Sequence, residues 1–159
     1  MPDIHDFSPA SSHQNLRLDR QLCFALYSAT HAMMRSYKRA LSAVGLTYPQ
    51  YLVMLVVWEH DGIGISGIAN ILELDTPSVT PMVRRLETAG LLKRSRLHGD
   101  DRVSSMTVAP KGWDIQKQVA EIQMDMACRT GLDGVEFNKL KNALRAVTAR
   151  LNLTLDMLS

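Results

Sequence analysis

Between residues 18 and 43, the apolar residues Leu18, Leu22, Ala25, Leu26, Ala29 and Met33 recur every three or four positions. That spacing lines one face of a helix and predicts a long first helix from Asp19 to about Ala43, stopped by Gly45. Thr47-Tyr48-Pro49-Gln50 then reads as a capping-box start, with proline in the first turn. The helix it opens, Tyr48 to about His60, is apolar almost all round and is expected in the core. Asp61-Gly62-Ile63-Gly64 reads as a turn. Ser66 can cap a short helix through Leu72, and Asp75-Thr76-Pro77-Ser78 starts another that ends at Ala89-Gly90. Pro81 conflicts with a start at Thr76, because its missing N–H is already needed there. An irregular first turn, or a start delayed to Ser78, is expected.

The period then changes. Leu91 to Arg96 and Arg102 to Val108 are strand-like runs on either side of the turn residues His98-Gly99-Asp100-Asp101. Pro110 opens a further helix to about Thr130, which the stretch from Gly131 to Gly134 breaks. The last helix carries Phe137, Leu140, Leu144, Val147, Leu151, Leu155 and Leu158 in one stripe. Two short helices, a turn and a basic hairpin are the order of a winged helix-turn-helix. The expected fold is therefore mainly α with a small β-hairpin wing. The first and last helices are long for so small a chain, which predicts a homodimer packed through its N- and C-terminal helices.

Composition narrows the classes. The chain has 159 residues, 46% hydrophobic and 21% charged, which is one domain's worth of sequence with an ordinary core. The expected layout is a flexible arm over 1–15 and a single domain over 16–159. Within that domain, 63–108 form a DNA-binding lobe, and 16–45 and 110–159 the dimerisation helices. The longest apolar run, Tyr51 to Trp58, falls far short of the roughly 18 residues of a membrane span. The first fifteen residues lack the basic start and apolar stretch of a signal peptide, so a cytoplasmic address is expected. Two cysteines, Cys23 and Cys128, and five scattered histidines show no metal-ligand spacing. No metal, cofactor or catalytic set is expected.

Net charge is +2, but from Thr76 to Arg102 six basic residues stand against three acids. Such a segment reads equally as a nucleic-acid surface or a solvated charged face. The hairpin behind it favours the first. Thr76, Ser78 and Thr80 at the start of the second short helix can donate to phosphates or bases, and Arg84 and Arg85 can clamp phosphates or read guanine edges. Arg94 and Arg96 on the hairpin are weaker candidates for phosphate contact, and His98 reads as a solvated turn residue.

Four segments resemble the MarR family of winged-helix regulators, and more narrowly its organic-hydroperoxide-sensing OhrR branch. They are Leu18-Asp19-Arg20-Gln21-Leu22-Cys23-Phe24-Ala25-Leu26-Tyr27, Gly45-Leu46-Thr47-Tyr48-Pro49-Gln50-Tyr51, the stretch from Leu74 to Glu87, and Asp100-Asp101-Arg102. The resemblance runs from about Leu18 to Leu158. It departs at Val108-Ala109-Pro110-Lys111-Gly112, where the family usually has Leu-Thr-x-x-Gly. It implies that Arg102, oriented by Asp100, enters the minor groove of an inverted-repeat operator in double-stranded DNA.

By itself, Cys23 reads as a small hydrophobe on a helix. Its place near a helix start and Arg20 three residues back favour a thiolate, while Asp19 opposes it. The resemblance implies more. Cys23 would be the peroxide-reactive thiol, supported by hydroxyls of Tyr37 and Tyr48 of the partner subunit, and Cys128 the resolving thiol of an intersubunit disulfide. Tyr27 reads as pocket wall, and Phe24, Met33 and Met54 as core. The function so implied is a repressor, not an enzyme, that releases its operator when an organic hydroperoxide oxidises Cys23. Two alternatives stay open: a repressor released by a small aromatic ligand, and a thiol peroxidase.

Overall fold

The computed structural model describes residues 16–96 and 104–156. The N-terminal arm, Leu158, and the wing tip with His98, Asp100, Asp101 and Arg102 lie outside the described residues. Two compact units are present, residues 1–119 and 120–159.

The first helix starts later than its apolar spacing suggests. Leu18–Arg20 form a 3-10 turn, Gln21 is extended, and α1 runs Leu22–Ala43. The cause is local: the Arg17 guanidinium grips the Asp19 carboxylate with two 3.1 Å bonds. Residues two apart do not face each other on an α-helix, so this pairing favours a tighter turn. Gly45, at φ +74°, ends α1 and lets the Leu46 N–H reach the Leu41 carbonyl.

Helix α2, Tyr48–Glu59, opens with the Thr47 N–H donating 2.9 Å to the Gln50 side chain. Its Tyr51, Val53, Met54, Val56 and Val57 are buried, as its all-round apolarity requires. Together α1 and α2 have the length and composition of a membrane span only as a pair bent by 73°. Among the described residues no single helix is long and apolar enough to cross a membrane.

Ile63–Gly64, expected as a turn, is a short strand β1. It pairs antiparallel with β3, Ser104–Val108, which also pairs with β2, Leu92–Arg96, giving the sheet order β1-β3-β2. Two residues are too few to show an alternation, so only the partner strand reveals them. The Asp61 carboxylate accepts the Val108 N–H at 2.8 Å and fixes the far end of β3 to the end of α2. Helix α3, Ile65–Ile71, begins one residue before Ser66, with Gly64 in the cap position.

Helix α4 runs without interruption over Thr76–Thr88, with Pro81 inside it. The expected delayed or irregular start is absent. Asp75 caps it, its carboxylate accepting the Ser78 N–H at 2.9 Å. An interior proline costs about 3 kcal/mol against alanine, and the burial of Val79, Val83 and Leu86 on one face offsets it. At the other end the Leu91 N–H reaches the Leu86 carbonyl, and Lys111 Nζ donates 2.9 Å to the Ala89 carbonyl. Between α3 and α4, Glu73 sits at φ +54°, a conformation that glycine tolerates better.

The helix expected from Pro110 to Thr130 is two: α5, Pro110–Asp114, and α6, Gln116–Arg129. Trp58 Nε1 donates 3.2 Å to the Gly112 carbonyl, which in a continuous helix would accept the Gln116 N–H. In the second unit, Asp133 caps α7, Gly134–Asp156, accepting the Val135 and Glu136 N–H groups at 2.8 Å. Its stripe residues Phe137, Leu140, Leu144 and Leu151 are exposed.

Two substitutions test these local fits. A Cβ on Gly112 would collide with the Leu91 carbonyl oxygen, so Gly112→Ala should lose about 1–3 kcal/mol in urea unfolding. Glu73→Gly should gain up to about 1 kcal/mol by relieving the left-handed backbone. An unchanged midpoint in the first, or a loss in the second, contradicts the packing described.

Candidate nucleic-acid interface and sensing thiols

The buried positions of α4 fix which way its other residues face. Val79, Val83 and Leu86 point into the core, leaving Thr76, Pro77, Ser78, Pro81, Arg84, Arg85 and Thr88 exposed. Arg84 and Arg85 make no ion pair or hydrogen bond through their guanidinium groups among the described residues, so both cations face solvent. Thr80 is placed differently from its neighbours. It is half-buried, and its hydroxyl donates 2.8 Å to the Thr76 carbonyl.

Arg94 is also committed within the chain. Its guanidinium meets the Glu87 carboxylate with two 3.2 Å bonds, tying β2 to the second half of α4. Exposed pairs of this kind contribute at most about 1 kcal/mol, so the bridge orients the hairpin more than it stabilises it. Arg96 ends β2. Asp100 and Arg102 belong to the undescribed wing tip.

The two thiols are both free and exposed, Cys23 in the first unit and Cys128 in the second. The late start of α1 makes Cys23 its second residue, closer to the helix N-terminus than a start at Asp19 would place it. Phe24 and Met33, expected in the core, are exposed; Met54 is fully buried.

Tyr37 and Tyr48 are brought together, with ring centroids 5.3 Å apart. Tyr51 completes the cluster, 5.3 Å from Tyr37 and 5.9 Å from Tyr48. The sequence reading missed Tyr51 because its helix is apolar on every side and offers no face to single it out. Burial, and then the neighbouring Tyr37 phenol, push the hydroxyls of Tyr48 and Tyr51 above the ordinary tyrosine value. Both are hydrogen-bond donors at neutral pH, as an unshifted phenol already is, and the shift extends that state to higher pH. Tyr48 also lines a cavity of about 420 Å³ with His31, Met34, Arg35, Lys38 and Leu46.

A helix with an exposed basic face, set against a three-stranded sheet and its hairpin, defines a winged helix-turn-helix DNA-binding protein. The chain belongs to the MarR family, which residues 46–104 match, and is a transcriptional regulator of that family. It is 37% identical over 85% of its length to the HTH-type transcriptional regulator TtmR of Methylorubrum extorquens, spanning 69% of that protein. It is 31% identical over 87% of its length to the organic hydroperoxide resistance transcriptional regulator of Bacillus subtilis, spanning 94% of it. Reduced AbfR bound to DNA superposes with a TM-score of 0.76 at 29% identity, over 91% of this chain and 99% of that one. A disulfide-formed AbfR structure matches at a TM-score of 0.62, over 94% of this chain and 99% of that one. Dimerisation is typical of the family, and these relatives are regulators rather than enzymes.

The cap of α4 gives a pH test. Hydrogen bonds from Ser78 hold the Asp75 carboxyl below its ordinary value. Its contribution is complete above the ordinary aspartate value and is lost as pH falls through the lowered folded value. Asp75→Asn keeps an acceptor without the charge and should flatten the acid limb of urea midpoints measured from about pH 5 downward. An acid limb identical to wild type would contradict the capping role.

Proposed function

We propose that this chain is a homodimeric repressor that reads an inverted-repeat operator with α4 and its wing and leaves it when an organic hydroperoxide oxidises Cys23. The observation that carries this reading is an exposed thiol in the first turn of α1 together with an assembled tyrosine cluster, whose hydroxyls are hydrogen-bond donors. In the dimer, Tyr37 and Tyr48 of the partner subunit would supply those donors to the Cys23 thiolate. The resemblance to the Bacillus hydroperoxide regulator supports the same inducer class, and the reduced, DNA-bound and disulfide-formed states of AbfR support a thiol switch.

The chemistry balances without a cofactor. The Cys23 thiolate attacks the distal peroxide oxygen, the O–O bond breaks, and an alcohol leaves after taking up a proton. Cys23 becomes a sulfenic acid. Attack by the Cys128 thiol then forms a disulfide and expels water. Closing that bond requires the two Cβ atoms to approach to about 4 Å; if they start far apart, helix movement must accompany it and would pull the DNA-binding lobes out of register.

The two thiols separate by role. Cys23→Ser should bind DNA when reduced and stay bound after hydroperoxide treatment. Cys128→Ser should still be oxidised, with its sulfenic acid capped by small thiols or carried to the sulfinic state. Wild type should instead run as a disulfide-linked dimer on a non-reducing gel. Release of DNA with both thiols still free would overturn the thiol mechanism. That result would favour release by a small aromatic ligand, a second reading supported by the cavity that Tyr48, Arg35 and Lys38 line.

The wing has its own test. With Arg102 in the minor groove, Arg102→Ala should weaken operator binding by at least about 1–2 kcal/mol at fixed salt, without changing dimerisation. Unaltered affinity would mark it as a surface charge only.

A further inference from the structure

Pro81 is the residue of the reading helix that no role yet explains. It lies inside a continuous α4, exposed, on the side opposite the buried Val79 and Val83. An interior proline is among the most costly single residues in a helix, and its chemical consequence is specific. It has no N–H, so the carbonyl four residues earlier, that of Pro77, loses its helical donor. The nearest hydroxyl does not replace it, because Thr80 Oγ1 donates to the Thr76 carbonyl instead. Among the described residues no side chain donates to the Pro77 carbonyl. Carbonyls on the solvent side of a helix tilt outward, toward water.

We propose that the Pro77 carbonyl, freed by Pro81, is a base-reading acceptor for the exocyclic amine of a cytosine or adenine in the major groove. The inference rests on α4 being the helix that enters the groove. Amines on cytosine N4 and adenine N6 are the major-groove donors, whereas guanine and thymine present only acceptors there, which a carbonyl repels. One position in each half-site should therefore prefer an amine-bearing base on the contacted strand. The two amines come from different bases, and substitution at that position tells them apart. Arg84 and Arg85, as donors, read the opposite pattern, so the carbonyl gives α4 a way to recognise bases its arginines cannot.

The test uses the full-length reduced protein and a duplex it selects from a randomised pool, with every base pair of one half-site then varied singly. Wild type should show one position where cytosine or adenine is preferred over guanine and thymine by about tenfold. Pro81→Ala restores the N–H and should reduce that preference to threefold or less while raising the melting temperature. Replacing residue 81 by the α-hydroxy analogue of alanine leaves an ester with no N–H and no ring, and should keep the preference. Either of two results overturns the proposal: Pro81→Ala retaining the wild-type preference, or the ester losing it as alanine does, which would assign the effect to the ring. Arg84→Ala and Arg85→Ala check the underlying reading separately. If neither changes affinity or its salt dependence, α4 is not the reading helix and the premise fails; if both do and Pro81→Ala does not, only the carbonyl assignment fails.

Discussion

The terminal helices carry more apolar surface than one chain covers. On α1, Leu22 and Tyr27 are more than half exposed, and on α7 so is Leu151, with Leu140 and Leu144 close behind. On α7 the three leucines are spaced by four and seven along one stripe, so they are not the scattered exposed apolar side chains of an ordinary surface. The proposed second copy of the chain would satisfy this constraint for both helices, in keeping with the dimers typical of the family. In the proposed dimer, two-fold symmetry would present two copies of α4 about one turn of DNA apart and make the operator an inverted repeat.

Within the first unit, a few polar contacts decide where α4 is held. Its start is fixed by Asp75, its end by the Gly90 turn and Lys111, and its flank by the Glu87–Arg94 bridge to β2. The sheet beneath is pinned at Asp61–Val108, and α5 at Trp58–Gly112. None of these contacts is strong alone. Their value is geometric, because a reading helix must hold its donors and acceptors to within a fraction of an ångström of base edges. The tyrosine cluster has the same character: packing gathers Tyr37, Tyr48 and Tyr51, and phenol hydroxyls are the donors that the proposed thiolate would need as neighbours.

Much of this was legible in the sequence. The capping box at Thr47, the glycine stops, the core helix from Tyr48 and the order of helices before the hairpin follow from spacing and chemistry within a few residues. Three of the misses share one cause, since each depended on a partner in another element. β1 exists only because β3 lies beside it, and α5 ends because Trp58 takes a carbonyl. Arg94 faces Glu87 through the packing of a strand on a helix. The late start of α1 is different, being a local contest between the Arg17–Asp19 pair and the helical spacing. At the site, Cys23, Tyr37 and Tyr48 could be named from the resemblance, whereas Tyr51 needed three-dimensional packing to be seen.

The need for a second copy is the claim on which the operator symmetry and the thiol chemistry both stand. Sedimentation equilibrium of the reduced protein at micromolar concentration measures it directly. The mass of two chains, unchanged by dilution across that range, is the expected result. A single-chain mass in which α1 and α7 remain folded would contradict the account, because their apolar faces would then be stable in water without a partner.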